Sequence, residues 1–254
     1  MPSTPWNLPA GPQVLGRVIN PAGDVLDDGG PLPAPVPAAG APAAGALFET
    51  GIKVLDVFAP LRHGAAIGLS SPAGVGKLVV MSELVQRLAS RYNGAAVLVG
   101  SEANALEVND MMRMMREAGV DHRVAMVFAR ADDDPAVRGQ AVAAGWSLAR
   151  DLAAGAPALL FIERQLAEEQ PVEPPATANT VTVVYFEHLE DDQIPARDWP
   201  GLPLDAQIVL SRDLASQKIW PAIDPRHSWS QMAESGELGA EHVALLRQAR
   251  EIMA

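Results

Sequence analysis

The chain has 254 residues, of which 48% are hydrophobic, and it carries a formal net charge of −12. This length suits one domain, or one domain with appendages, and the apolar fraction is enough for a large core. The absence of cysteine excludes disulfides, thiolate metal sites and cysteine nucleophiles. The acidic charge repels phosphate backbones, so we expect no nucleic-acid partner.

The sequence shows no signal for insertion into a membrane. No apolar run reaches about 20 residues, the length that a membrane-spanning helix needs. The first residues also lack the basic region and the apolar stretch of a signal peptide. We therefore expect a cytoplasmic protein.

The first 46 residues are predicted to stand apart from the main domain. Residues 14–32 alternate strand-like with turn-like residues, and the stretch from 33 to 46 contains four prolines. Prolines at this density cannot join a helix or a central strand, so this stretch should be an extended linker. The sequence therefore predicts an N-terminal segment and a Pro/Ala-rich linker over residues 1–46.

The rest of the chain alternates short apolar strands with amphipathic helices. Strands are predicted at 65–71, 94–100, 124–129, 157–163 and 180–186, and helices at 76–92, 105–120 and 135–155. Such alternation predicts an α/β fold, a parallel sheet covered on both faces. After it, a surface loop is expected at 168–179, an irregular acidic stretch at 187–206, a strand and a turn at 207–225, and a final helix at 239–253.

The segment SPAGVGKLVV nearly matches the phosphate-binding loop G-x-x-x-x-G-K-[ST]. Gly76 and Lys77 are in place, but Ser71 stands where the first glycine should be. Leu78 replaces the hydroxyl that would hold magnesium, and Pro72 has no N–H to offer a phosphate. The loop follows a predicted strand and opens a predicted helix, which is where such anion sites lie.

Longer stretches around this loop carry a more specific signal. They read TGIKVLDVFAPLRHGAAIGL followed by AGVGK, then LGRVINPAGDVLDDGGPL, REAGVDHRVAMVFARADDDP, LLFIE and IVLSRDLASQKIWPAIDP. These stretches resemble the β subunit of the F-type ATP synthase, most closely the β subunits of alternative bacterial rotary ATPases. The resemblance covers most of residues 14–232.

The resemblance implies a fold and a domain plan. It implies a RecA-like P-loop NTPase core over residues 47–232, with a predominantly parallel sheet. The N-terminal segment would be a vestige of the family's β-barrel domain. Residues 233–254 would form a single C-terminal helix where the family has a helical domain.

The resemblance also implies a nucleotide site around the loop. Its residues are Gly74, Val75, Gly76, Lys77, Leu78, Val79 and Trp220. Lys77 matches the lysine that contacts the β and γ phosphates, and Trp220 stands at the position of the tyrosine that packs on adenine. Two simpler interpretations stay open: Lys77 as a solvated relic, and Trp220 as ordinary core filling.

Several residues that the family uses for hydrolysis are replaced. The resemblance matches Ala103 to the water-activating glutamate, Asn104 to the arginine after it, and Ala167 to a further arginine. Glu163 replaces the metal-binding aspartate, and Glu102 would need a shift of its loop to act as the base. A general base contributes about 10²–10⁴ in rate and a transition-state arginine roughly 10³–10⁵. We therefore expect little hydrolysis.

Arg212, in LSRD, has two interpretations. The resemblance implies that it acts in trans, on the site of a neighbouring subunit. The alternative is a surface ion pair, which is the more common role of an isolated arginine. The acidic run before Pro135 is expected to form a turn and cap the next helix.

Three hypotheses follow for the function. In the first, the chain is a β-like protein that binds ATP or ADP weakly, without side-chain ligands for magnesium. It would then be a noncatalytic subunit or assembly partner of α/β or other rotary ATPase subunits. In the second, it is a slow magnesium-dependent ATPase that uses Glu102 and Glu163. In the third, it is an interaction protein that binds no nucleotide.

Overall fold

The structure is a computed structural model. It describes residues 12–32, 45–101, 105–130, 133–169, 181–190 and 193–253. The proposed base Glu102, its neighbours Ala103 and Asn104, and most of the Pro/Ala-rich linker lie outside the described residues. A search of the described residues finds no helix that is long and apolar enough to cross a membrane.

The strands form a mostly parallel sheet. The described strands are β1 Val18–Ile19, β2 Leu47–Phe48, β3 Leu61–Arg62, β4 Ala66–Pro72, β5 Ala95–Ser101, β6 Val124–Ala129, β7 Ala158–Glu163, β8 Val181–Leu189, β9 Ala206–Val209 and β10 Trp229–Ser230. Within the described residues, eight of them lie in the order β1-β6-β5-β7-β8-β4-β9-β10. Only the β9–β10 pair is antiparallel in that sheet. This confirms the predicted α/β fold.

Helices cover both faces of the sheet. The described α-helices are α1 Lys53–Phe58, α2 Lys77–Tyr92, α3 Ala105–Glu117, α4 Pro135–Ala153, α5 Arg164–Glu169, α6 Arg212–Ser216, α7 Gln231–Ser235 and α8 Ala240–Met253. Successive residues of β5 point to opposite faces: Ala96 and Leu98 pack in the core that contains α2, and Val97 and Val99 in the core that contains α4. This two-sided burial explains the continuous apolar runs of the sequence.

Two helix boundaries follow from local chemistry. The side chain of Asp134 accepts a hydrogen bond from Ala136 N at 2.8 Å, and Pro135 takes the first position of α4. The predicted cap is therefore confirmed. Helix α2 ends at Tyr92, and Asn93, which caps it, has a φ of 52°, a left-handed conformation that asparagine tolerates well.

The structure differs from the sequence-based expectations at β8. This strand was predicted to end at residue 186, but it continues through Glu187 and His188 to Leu189. It lies between β7 and β4, and its parallel pairing with β4 runs to the end of both strands. This pairing with β4 keeps Glu187 and His188 in a strand, although the sequence pattern assigned them to an irregular stretch.

Two further boundaries differ. Pro72 was expected inside the phosphate-binding loop, but it is the last residue of β4, paired with Leu189. Strand ends tolerate proline because no further ladder donor is needed there. Helix α5 was not predicted, and it includes Glu168 and Glu169, which were assigned to a loop. Strand β1 joins the main sheet beside β6, so the N-terminal segment contributes to that sheet.

Candidate functional site

A tight turn connects β4 to α2. It runs from Ala73 to Gly76, and both of its glycines have a positive φ, 69° at Gly74 and 97° at Gly76. Side chains with a Cβ disfavour this region, so glycine is the residue that allows the turn. Val75, between them, is buried and anchors the turn to the core. The glycines thus preserve a loop that ends at the N-terminus of a helix.

The start of α2 presents backbone donors. Its first intrahelical hydrogen bond runs from Val80 N to Gly76 O at 3.0 Å. The N–H groups of Lys77, Leu78 and Val79 therefore precede the helical ladder. Such groups, together with the dipole of a 16-residue helix, favour an anion.

Lys77 faces a polar cleft of about 640 Å³, which we call the lysine cleft. Its lining residues are Lys77, Glu163, Arg164, Gln165, Glu168, Phe186, Glu187 and His188. The Nζ atom of Lys77 lies 5.4 Å from the centroid of the Phe186 ring. The structure therefore brings two of the predicted site residues, Lys77 and Glu163, to the same cleft.

Glu163 is held in place at the carboxyl end of β7. Its Oε2 atom accepts hydrogen bonds from Ser101 N at 3.2 Å and from Ser101 Oγ at 3.1 Å. Ser101 is the last residue of the neighbouring strand β5. The carboxylate therefore lies at the edge of the sheet where ligands of open α/β folds bind.

Arg164 and Glu187 line the same cleft, and sequence reasoning missed both. Arg164 Nη1 donates to Glu187 Oε2 at 2.5 Å, and Arg164 Nε donates to Glu168 Oε1 at 2.6 Å. The other oxygen of Glu187 accepts a hydrogen bond from Ser70 Oγ at 2.6 Å. Burial alone would lower the pKa of Arg164, but its hydrogen bonds and charge interactions with Glu187 and Glu168 raise it on balance. The guanidinium is therefore a permanent cation in the cleft.

A sequence signal could have found these two residues. Arg164 directly follows the last residue of β7, and Glu187 directly follows VTVVYF in β8. Residues at the carboxyl ends of neighbouring parallel strands meet at one edge of a sheet. That rule applies to both positions, although the charged stretch after each strand resembles ordinary surface.

An apolar groove of about 680 Å³ lies beside the turn, and we call it the tryptophan groove. It is lined by Gly76, Val79 and Val80 of the loop and helix start, by Ile219, Trp220, Pro221, Ala222, Ile223, Pro225 and Leu214, and by Gly51, Ile52, Lys53, Val54, Glu83 and Arg87. Trp220 is 55% exposed. An indole that exposed is not core filling, which argues against the simpler interpretation of this residue.

Leu78 does not replace the lost metal ligand. Its half-buried side chain packs against the hydrophobic core on one side of the sheet. An alkyl group cannot coordinate a hard cation, which requires oxygen ligands. Within the part of the chain that the structure describes, no group of three or more acidic, histidine or cysteine side chains could hold a metal ion. Leu78 therefore supplies no ligand for a metal ion at this position.

Arg212 contacts the turn of its own chain. Its Nη2 atom donates a hydrogen bond to Ala73 O at 3.0 Å. It begins α6, where the preceding Ser211 caps the helix by accepting from Leu214 N at 3.4 Å. In this chain, Arg212 thus braces the first residue of the turn.

Two comparisons relate this chain to known proteins. Residues 51–168 match the model of the ATP synthase alpha/beta family, nucleotide-binding domain. Among solved structures, the chain is similar to a prototypical ATPase from the type III secretion system of pathogenic bacteria, with 21% identity and a TM-score of 0.71. That match covers 97% of this chain and 82% of the other.

Together, the two comparisons confirm the resemblance that the sequence showed. The structural match shows that the chain shares the α/β fold of that protein. The family match shows that residues 51–168 are similar to the nucleotide-binding domain of the ATP synthase alpha/beta family.

Proposed function

We propose that this chain binds ATP or ADP without hydrolysing it at a useful rate, and that it acts as a noncatalytic subunit or assembly partner of a rotary-type ATPase. One observation carries the proposal. The turn keeps both left-handed glycines and Lys77, whereas the next residue, Leu78, packs into the core in place of a metal ligand. The loop has kept its phosphate-binding elements and lost its metal-binding element.

The phosphate end of the nucleotide has donors in the loop. The N–H groups at the start of α2 and the ammonium of Lys77 can contact the β phosphate without a metal. The dipole of α2 adds a favourable interaction with the anion at this end. These contacts support binding whose affinity does not depend on magnesium.

The base of the nucleotide can bind in the tryptophan groove. Gly76 lines this groove and Lys77 lines the lysine cleft, so the two cavities flank the same helix start. The groove volume of 680 Å³ lies within the range of about 300–1,000 Å³ that is typical of small-molecule sites. A flat, exposed indole with apolar neighbours such as Val79 and Ile219 can stack on a purine.

The proposal of weak catalysis rests on two described positions. Leu78 offers no metal ligand, and Ala167 is a buried alanine of α5 where the resemblance implies an arginine. Losing a transition-state arginine lowers the rate by roughly 10³–10⁵. Even if the losses overlap, little acceleration is left.

Phosphate release from ATP tests this proposal. The wild-type chain should release phosphate no faster than Lys77→Ala, and Leu78→Thr alone should not restore activity, because one hydroxyl replaces neither a base nor an arginine. A wild-type rate well above that of Lys77→Ala would contradict the proposal.

A second candidate function is slow, magnesium-dependent hydrolysis. It is favoured by the position of Glu163, which Ser101 holds in the same cleft as Lys77. If this candidate is correct, Glu163→Gln and Lys77→Ala will both abolish a measurable, magnesium-dependent release of phosphate. If the first proposal is correct, neither variant will differ from the wild type.

The proposed partner is another subunit of the rotary ATPase type. Related domains pack side by side, so we expect the isolated chain to be a monomer or a weak oligomer and to form a stable complex with such a subunit. Light scattering at micromolar concentration checks the first part. A stable hexamer that forms without nucleotide would contradict it.

A further inference from the structure

We propose that Arg164 is the residue that distinguishes a nucleoside triphosphate from a diphosphate, and that Glu187 competes with the third phosphate for it. This inference rests on the proposed function, because it requires a nucleotide at the loop. It assigns a role to an ion pair that lies in the lysine cleft and that the loop motif does not include.

The topology places this ion pair beside the loop. In the sheet register, Glu187 of β8 pairs with Ser70 of β4, the strand that leads into the loop. On the other side of β8, Phe186 pairs with Glu163, the residue before Arg164. Glu187 therefore lies between the loop strand and Arg164, and all three elements open into the cleft that Lys77 lines.

The chemistry of Arg164 suits a phosphate as well as a carboxylate. Its planar guanidinium presents parallel donors that match two oxygens of either group. The guanidinium carbon lies 4.4 Å from the centroid of the Trp199 ring, which fixes the plane of the fork. A terminal phosphate oxygen can thus take the place of the Glu187 oxygen on Nη1 while Glu168 keeps Nε.

The length of the nucleotide decides whether this exchange occurs. In this proposal, a diphosphate that is held by the turn and Lys77 ends before the ion pair and leaves it intact. A triphosphate extends one phosphate further into the cleft, where it meets Glu187 and Arg164. Only the triphosphate must therefore separate the pair, and only its affinity depends on both residues.

The charges in the cleft make Glu187 compete with the third phosphate for Arg164. The side chain of Glu187 is 12% exposed and that of Arg164 is 25% exposed, so solvent screens their interaction only in part. The cleft is lined by three acidic side chains, those of Glu163, Glu168 and Glu187, and by two basic ones, those of Lys77 and Arg164. Neutralising Glu187 removes a repulsive charge and releases a donor to the incoming phosphate.

Titration calorimetry with ATP and with ADP on the full chain tests this inference. For Arg164→Gln we expect the affinity for ATP to fall about tenfold, since a charged hydrogen bond is lost, and the affinity for ADP to stay within about twofold. For Glu187→Gln we expect the affinity for ATP to rise by about tenfold, on the same basis, with ADP again unchanged. The opposite signs separate this effect from a general loss of stability.

The matched control is Arg138→Gln. Arg138 Nε pairs with Glu169 Oε2 at 3.1 Å, with side chains that are 22% and 28% exposed, and Glu169 belongs to the same helix as Arg164. The lysine cleft does not include Arg138 or Glu169. This variant loses a comparable ion pair at α5 and should bind both nucleotides as the wild type does.

The outcomes distinguish this inference from the proposed function. If both nucleotides bind and Arg164→Gln weakens them equally, or Glu187→Gln fails to favour ATP, the inference is wrong and the proposed function stands. If neither nucleotide binds to the folded wild type, both are wrong. If Arg164→Gln does not fold, the gain expected for Glu187→Gln still decides the matter.

Discussion

The indole of Trp220 lies directly against Gly76, the last residue of the turn. A Cβ built on Gly76 would come within 3.0 Å of Trp220 Cζ3. Gly76 is therefore constrained twice, by its φ of 97° and by the ring that covers it. This contact joins the turn between β4 and α2 to the tryptophan groove.

We expect Gly76→Ala to cost more than Gly74→Ala. Both substitutions force a Cβ into the left-handed region, at a cost of about 1–2 kcal/mol. At Gly74 a Cβ would meet nothing within 4 Å, whereas at Gly76 it meets the indole. Urea denaturation of both variants measures the difference in the free energy of unfolding.

The control for the contact between Gly76 and Trp220 is to make the same two glycine substitutions in a Trp220→Ala background. Without the indole, the two glycine substitutions should have the same cost. If Gly76→Ala remains the more costly one, the contact with Trp220 is not its cause.

His63 should make the protein sensitive to mild acid. Its ring lies between Phe48, at 5.0 Å between centroids, and Tyr92, at 4.9 Å. It is 3% exposed, and neither ring nitrogen has a hydrogen-bond partner among the described residues. Burial lowers the pKa of His63 below 6.5. The neutral ring is therefore the form that the folded state accepts.

The consequence for stability has a definite sign. Below pH 6.5 the unfolded chain binds a proton at His63, whereas the folded chain does not bind it until the pH reaches the lower folded-state pKa. The free energy of unfolding therefore falls as the pH drops towards that folded-state pKa. Burial raises the pKa of Asp27 and of Asp224, but the hydrogen bonds that each carboxyl accepts outweigh burial and lower it. Both carboxyls therefore titrate below 3.8, outside this pH window. Denaturation midpoints at pH 7.5 and pH 5.5, chosen to span the ordinary histidine value, measure the effect.

His63→Phe is the variant that checks this assignment. It keeps a flat ring between Phe48 and Tyr92 and removes both unpaired nitrogens. We expect it to lose much of the difference in midpoint between the two pH values. An unchanged difference would show that another group titrates in this window.

Gly145, in the middle of α4, should not tolerate alanine. Alanine at an exposed helix position is better than glycine by about 0.5–1 kcal/mol. A Cβ at Gly145, however, would come 2.2 Å from Cγ2 of Val99 in β5. We expect Gly145→Ala to lower the free energy of unfolding by about 1–3 kcal/mol, because the helix and the sheet must separate.

Val99→Ala tests whether the clash with Val99 is the cause of this loss. It removes Cγ2, so Gly145→Ala should cost much less in the Val99→Ala background than alone. Additive effects of the two substitutions in thermal or urea unfolding would argue against a direct clash.

The sequence predicted the elements whose pattern is dictated by burial. Strands such as β5 bury both faces, and α2 has one apolar stripe, so both are recognisable without tertiary information. Helix α5 has only six residues, fewer than two turns, and is too short to show a period. The extension of β8 depends on its pairing with β4, which no local pattern records.

The candidate site, like the fold, could be predicted from the sequence only in part. The glycines of the turn and Lys77 follow from the loop motif, because the turn needs those residue types. The Arg164–Glu187 pair, by contrast, depends on β7 and β8 being neighbours, which is a property of the topology. The contact of Trp220 with Gly76 joins positions that are far apart in sequence, and the resemblance to the rotary ATPases was the only signal for it.

The most direct test of the account is calorimetric titration of the full chain with ATP, once in magnesium and once in excess chelator, with Lys77→Ala in parallel. We expect measurable binding to the wild type that changes by no more than about twofold on removal of magnesium, since Leu78 offers no metal ligand. Lys77→Ala should weaken it about tenfold or more, because a charged contact to phosphate is lost. Tight binding that disappears in the chelator, or no difference between wild type and Lys77→Ala, would contradict the account.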